Sequence, residues 1–143
     1  MSMFLNNSFG KTVDILHRSM SANIMRQEVI ANNIANSDTP NFKRSDVNFE
    51  SSLARAIRSE QVEKDSMPTT MTDPRHIPFY RATDWQDVTP RRTTDYLSTA
   101  KNNGNNVDIE EETSKAVAAQ LSYNLMVQSV SGEFNNINLV LRG

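Results

Sequence analysis

The chain has 143 residues, 37% of them hydrophobic, with 15 basic against 17 acidic side chains and a net charge of -2. That is one domain's worth of sequence, lean for a single compact core, and its balanced charge leaves no basic footprint for nucleic acid or an anionic membrane. Cysteine is absent, so disulfides, thiolate zinc sites and cysteine nucleophiles are excluded. No apolar run approaches the roughly 20 residues that span a bilayer, and MSMFLNNSFGK lacks the basic and apolar regions of a cleavable secretory signal.

All the prolines, Pro40, Pro68, Pro74, Pro78 and Pro90, lie between positions 40 and 90. A proline inside a helix removes a backbone donor and clashes with the preceding turn, at about 3 kcal/mol, so long helices are expected only in the flanking segments. The sequence therefore divides into residues 1–40, 41–104 and 105–143.

In the first part Phe9, Val13, Leu16, Met20 and Ile24 recur at steps of four and three, followed by Ala31, Ile34 and Ala35. The spacing predicts one helix from about 8 to 36, capped by Asn7 or Ser8. It ends there because Thr39, next to Pro40, is pushed out of the α region. The middle part offers a short amphipathic helix over Asn48 to Arg58, on Phe49, Leu53, Ala56 and Ile57, or a β-hairpin. Otherwise it reads as extended or irregular, with polar stretches such as MPTTMTDPRHIP expected to order on assembly.

The last part begins after NNGNNVD. Asp108 is placed as an N-cap, Glu111 as the third residue of a capping box, and Glu110 to Glu112 set negative charge against the positive helix end. Tyr123, Val127, Val130, Phe134, Ile137 and Leu141 keep a rhythm of fours and threes, widened by Val117, Leu121 and Leu125. The expected fold is mainly α. Two terminal helices, on the order of 40 and 50 Å long, pack as a parallel or antiparallel coiled-coil-like pair and leave apolar surface for partner chains.

Chemistry-bearing patterns are sparse. The histidines are His17, within the first helix, and His76, in DPRHIPF; no zincin, P-loop, nucleophile-elbow or dinucleotide motif occurs. The segment NNGNNVDIEEE fails as a calcium loop, since aligning Gly104 with the sixth position puts Thr99 and Lys101 where acidic ligands belong. No catalytic, cofactor-binding or metal-ligating residue is assigned.

One stretch resists a purely local account. In ANNIANSDTPNFK, residues 31–43, the helix stop explains Asn36 to Pro40 but not Asn32 and Asn33, because asparagine is a mediocre helix former. At least one of these amides is expected to face a partner as both donor and acceptor. The stretch resembles the Ala-Asn-x-x-Ala-Asn-x-x-Thr-x-Gly signature of bacterial flagellar rod and hook proteins, the axial family. Thr39-Pro40, Phe42, Lys43 and DVNFE at 46–50 are similar to its proximal rod members. So are TDPRHI at 72–77, NNVDIEEE at 105–112, and the terminal Tyr123, Phe134, Ile137, Val140, Leu141 and Gly143. Asn41 departs from the glycine frequent in the family, but asparagine tolerates the left-handed conformation. The large inserted domain of hook and distal rod subunits is missing.

The resemblance implies a non-enzymatic subunit of the flagellar basal body, exported without a cleaved signal and assembled in the periplasm. Its implied partners are copies of itself, other rod proteins, the rod adaptor at the base, and the membrane ring and export gate, with no nucleic acid or small-molecule substrate. The subunit interface would then comprise Phe9, Val13, Leu16, Met20, Ile24, Ala31 to Asn36, Thr39, Pro40, Leu121, Tyr123, Leu125, Val127, Val130, Phe134, Ile137 and Leu141. Asn32, Asn33 and Asn36 would set register between adjacent helices, and Phe9 with Val13 resembles an early export signal. The alternatives are another proximal rod subunit of the family, or a helical secretion chaperone.

Overall fold

The computed structural model describes residues 8–67, 72, 73, 75, 76, 82–99 and 101–142. The elements in chain order are α1 (Ser8–Ala35), β1 (Ser45–Asn48), α2 (Glu50–Asp65), a 3-10 turn (Trp85–Asp87), β2 (Arg91–Thr94) and α3 (Ile109–Arg142). The chain forms two units, one of residues 1–47 with 92–143 and one of residues 48–91. Residues 41–47 and 92–104 of the sequence's middle part thus fold with the long helices.

In the first unit α1 and α3 pack together. Of the two orientations open from sequence the structure adopts the antiparallel one. Phe9, near the start of α1, meets Phe134 far along α3, with ring centroids 5.9 Å apart at 87°, whereas Asn33, near the end of α1, reaches Glu112 in the first turn of α3. Among the described residues the buried apolar side chains of this unit are few: Ala22, Val29 and Ile30 from α1, Val47 from β1, Val107, and Ala119 from α3. Val29, Ile30, Val47 and Val107 all come from the neighbourhood where the loops join, so the core thickens toward that end.

The ends of α1 and α3 fall within a residue of the positions predicted. At the start of α3, Asp108 accepts hydrogen bonds from the N–H groups of Glu110 (2.9 Å) and Glu111 (3.4 Å). Only this half of the capping box matches expectation. The Glu111 carboxylate does not return to the Asp108 backbone; it pairs with Lys115 at 2.7 Å and Arg44 at 2.9 Å. Two cations within reach outcompete one neutral N–H, since charge-assisted bonds are roughly twice as strong as neutral ones. Of the two caps expected for α1, Ser8 is already the first helical residue and Asn7 lies outside the described residues.

β1 and β2 form a two-stranded sheet. Asp95 N–H donates to Arg44 O, the Ser45 and Thr94 hydroxyls meet at 3.3 Å, and Thr93 Oγ1 donates to Asp46 O at 3.4 Å. One strand's numbers fall as the other's rise, so the pairing is antiparallel.

In the second unit α2 is longer than the helix predicted over 48–58, running on to Asp65. The added turns, SEQVEKD, carry no apolar stripe, but glutamate, glutamine and lysine are good helix formers and need no core to continue one. Leu53 and Ala56 of α2 are buried, as are Phe49 and Trp85, and α2 packs on the 3-10 turn. Ser59 ties the two, its hydroxyl accepting from Thr83 N–H at 3.0 Å, while Asp84 caps the turn through Gln86 N–H. Within MPTTMTDPRHIP, residues 68–71, 74, 77 and 78 are outside the described set; in the remainder, Asp73 accepts from the N–H groups of Arg75 and His76.

Candidate functional site

The residues that drew attention in sequence, ANNIANSDTPNFK and NNGNNVDIEEE, come together in space at the closed end of the helix pair. α1 stops through a run of tight turns: Asn36 N–H donates to the carbonyls of Asn32 and Asn33, Ser37 N–H to Ile34 O, and Thr39 N–H to Asn36 O. A helix end leaves carbonyls without partners. The turns just described take up those of Asn32, Asn33 and Ile34, and beyond them the wholly buried Asn105 amide gathers the carbonyls of the turns themselves, with Nδ2 at 2.9, 2.9 and 2.8 Å from those of Asn36, Ser37 and Thr39. Lys101 Nζ adds a second bond to Ser37 O at 2.8 Å.

Asn33 performs the complementary task. It is fully buried and donates to Ser45 O (2.8 Å) and Glu112 Oε2 (2.9 Å), while its Oδ1 accepts from Ser45 N–H (3.0 Å). Helix α1, strand β1 and helix α3 are thereby tied through one side chain. Asn106 extends the network: its Oδ1 accepts from Arg44 N–H at 2.6 Å, and its Nδ2 donates to Asp95 O at 2.8 Å. Every buried polar side-chain atom among the described residues has a partner.

Two left-handed backbones let the loops close. Asn41 has φ 58° and Gly104 φ +80°, and they are neighbours: a Cβ on Gly104 would lie 2.6 Å from Asn41 Oδ1. Asn41 thus holds the conformation for which glycine is frequent in the axial family, as expected. Its N–H donates to Asn103 O at 3.0 Å, and Lys43 Nζ donates to Gly104 O at 2.8 Å.

Charge surrounds this amide core. Glu112 is 2% exposed, with Lys115 at 3.4 Å and Arg44 at 3.9 Å. Glu111 titrates below its ordinary value because of hydrogen bonds from Lys115 and then Arg44. Asp95 is held well below the usual carboxylate range by the Ser98 hydroxyl, then by the N–H groups of Ser98 and Leu97. Arg44 is raised, chiefly by Glu111. Lys115 is raised too: burial, its largest influence, pulls it down, but the bond to Glu111 and the charge of Glu112 outweigh that.

The residues predicted to face other subunits divide. Asn33 is turned inward, its amide fully engaged in its own chain. Asn36 is half-buried and donates to Asn32 O at 2.8 Å within its own helix end. Phe9, Val13, Leu16, Met20, Ile34, Tyr123, Val130 and Ile137 are half-buried. Ile24, Ala31, Asn32, Ala35, Thr39, Pro40, Leu121, Leu125, Val127, Phe134 and Leu141 are exposed. On α3 the exposure reaches 60% at Leu121 and 78% at Leu141, although that helix is apolar along much of its length.

Arg44, Ser45 and Asp95 carry no signal in the sequence; Asn105 and Asn106 stand out there only as part of NNVDIEEE, and Lys101 only as a misfit in a calcium loop. The asparagine density of NNGNN is the one further hint, and such density is equally at home in a plain turn. His17 is an exposed residue of α1. Among the described residues no group of three or more His, Asp or Glu side chains is placed to hold a metal ion. Among the described residues no helix is long and apolar enough to cross a membrane.

Comparison with known proteins bears directly on the junction. A family model described as "Flagella basal body rod protein" matches residues 15–43, most of α1 and the turns that Asn105 caps. Over 95% of its length the chain is 41% identical to the flagellar basal body rod protein FlgB of Borreliella burgdorferi, covering 99% of that protein. The chain belongs to the FlgB family of flagellar basal body rod proteins. The FlgB of Bacillus subtilis is 33% identical over 94% of the chain and 96% of its own length, and that of Escherichia coli 30% over 87% and 88%. The alignments thus run through both long helices and the segment between them.

Proposed function

We propose that the chain is a structural subunit of the proximal rod of the flagellar basal body. It polymerises with copies of itself and with other rod proteins into the shaft that transmits torque and encloses the channel for exported subunits. Beside family membership, one observation carries this reading: an antiparallel helix pair is locked at one end by a saturated amide network, yet its outward faces stay apolar and open. A pair that needed only itself would bury those faces. A subunit of a tube uses them against neighbours, where each fully buried leucine or isoleucine contributes roughly 1.5–3 kcal/mol.

In this reading Ile24, Leu121, Leu125, Val127 and Leu141 meet neighbouring subunits, and Asn32, Thr39 and Pro40 present the outer side of the junction to them. Asn33 keeps register between the helices of its own subunit. The subunit is exported without a cleaved signal and assembles in the periplasm, against the rod adaptor, the membrane ring and the export gate. Phe9 and Val13 serve as an export signal while the chain is still unfolded, since folding seats Phe9 against Phe134.

Deleting the coding region from the parent cell tests the function. Basal bodies that lack a rod, restored by the wild-type chain and by no Leu121→Asp, Leu125→Asp variant, are the expected result. Intact rods and normal swimming after the deletion would overturn it. A Phe9→Ala, Val13→Ala chain exported at the wild-type rate would remove the export role alone.

A further inference from the structure

The loop after β2 has an unusual combination of order and exposure. Asp95 Oδ1 accepts from the N–H groups of Leu97 (3.0 Å) and Ser98 (3.1 Å), and Oδ2 accepts from the Ser98 hydroxyl (2.6 Å) and Arg44 Nε (3.3 Å). Asn106 grips the same loop through Asp95 O and Ser98 Oγ. The two residues framed by these bonds, Tyr96 and Leu97, are 76% and 98% exposed. The bonded backbone presents this apolar pair in one place, so binding has only their side-chain rotamers left to fix, and tyrosine is among the commonest interface anchors.

The same chain carries a surface suited to receive it. Residues 116–132 of α3 contain no Asp, Glu, Lys or Arg, and depletion of charge marks the centre of protein interfaces. Val117, Leu121 and Leu125 lie open along this stretch, Leu125 being 55% exposed. Side chains four apart on a helix border a shallow hole into which a residue of a facing chain inserts. Within one molecule both parts stay exposed, so neither fills the other.

We propose that Tyr96 and Leu97 of one copy insert among Val117, Leu121 and Leu125 of a neighbouring copy. The contact rests on the chain's assembly as a rod subunit, and names one way its copies touch. Knob and hole are different patches of one surface, so the contact is heterologous and repeats into an open array. Two side chains bury far less than the roughly 1,200 Å² of a stable pair; the contact therefore forms only where other contacts hold copies side by side, and the dilute chain stays monomeric.

The absence of cysteine provides a clean test. Leu97→Cys and Leu121→Cys chains, both at exposed positions, are co-expressed in cells lacking the native copy, and isolated rods are oxidised. The expected product is a covalent dimer at least tenfold above that from rods of either variant alone, reproduced when Leu125→Cys replaces Leu121→Cys. Rods holding both variants without that excess overturn this contact and leave the proposed function standing. Absence of the wild-type chain from isolated rods overturns the function, and the contact with it.

Discussion

The closed end of the α1–α3 pair and its shafts are held by opposite means. At the closed end, buried amides from Asn33, Asn105 and Asn106 meet named backbone groups at 2.6–3.0 Å. Along the shafts, Ala22 and Ala119 are the buried apolar residues furthest from the junction, and leucines and valines face outward. Directional bonds fix one geometry and fail together when a partner is lost; apolar faces tolerate exchange and accept whatever covers them. The difference suits a subunit that must keep its own shape while remaining incomplete along its length.

The largest expected effect comes from breaking the closed end at its centre. Asn33→Ala leaves the buried N–H and C=O of Ser45 unpaired and removes a donor from Glu112. At about 1–3 kcal/mol for each orphaned group, the loss is roughly 3–5 kcal/mol. Urea denaturation of the purified chain measures it. Asn33→Asp is expected to be at least as damaging, since it sets a second carboxylate against Glu112, and adding Glu112→Gln should recover part of that loss by restoring a donor. A fall below about 1 kcal/mol for Asn33→Ala would show that the junction does not hold the pair.

How much of this was legible differs between the two regions. The shafts were readable because helical periodicity is local: Phe9, Val13, Leu16 and Met20 announce one face without knowledge of anything else. The stop at Asn36 to Pro40 was readable for the same reason. The junction was not. That Asn33 needs a donor and acceptor partner follows from its chemistry, but that the partners are Ser45 and Glu112 depends on a chain reversal spanning tens of residues. The role of Asn105 was hidden because its carbonyl partners lie more than 60 positions earlier. Glu111 was assigned to a capping box because sequence spacing cannot see Arg44. The continuation of α2 to Asp65 escaped for the reverse reason, as an exposed helix needs no apolar pattern.

A smaller effect is expected where the loops turn. Gly104→Ala places a side chain at φ +80° and drives its Cβ toward Asn41 Oδ1, at a combined cost of about 1–2 kcal/mol. Part of this strain can be relieved from the other side, because Asn41→Gly removes the obstructing side chain while keeping its own left-handed backbone free of penalty. The double variant should therefore be more stable than Gly104→Ala alone in the same denaturation experiment. Equal stabilities would mean that the contact between the two turns carries no weight.

The charged rim of the junction responds to pH. Glu111 and Asp95 both titrate below their unfolded values in the folded chain, so their contribution is fully present above the ordinary carboxylate range and is lost as pH falls through the folded values. Arg44 and Lys115 are raised, and what they contribute persists until pH climbs through their folded values, far on the alkaline side. Stability should thus decline below about pH 5 and hold steady through neutrality. Comparing denaturation midpoints at pH 7 and pH 4 checks this, with Asp95→Asn expected to show the smaller decline. A decline as large in that variant as in the wild type would remove Asp95 from the account.

The smallest effect on the isolated chain should come from the shafts, and it sharpens the contrast most. Leu121 is 60% exposed and Leu125 55%, so Leu121→Ser and Leu125→Ser each forfeit little burial, and stability should stay within about 0.5 kcal/mol of wild type. Rod incorporation in cells should nevertheless fall sharply, because the burial they lose is burial they would gain only beside a neighbour. Asn33→Ala sets the opposite pattern, with damage already complete in the purified monomer. If the leucine variants unfolded as readily as the asparagine variant, the shafts would be sealed within the single chain, and the division between a self-sufficient end and dependent sides would collapse.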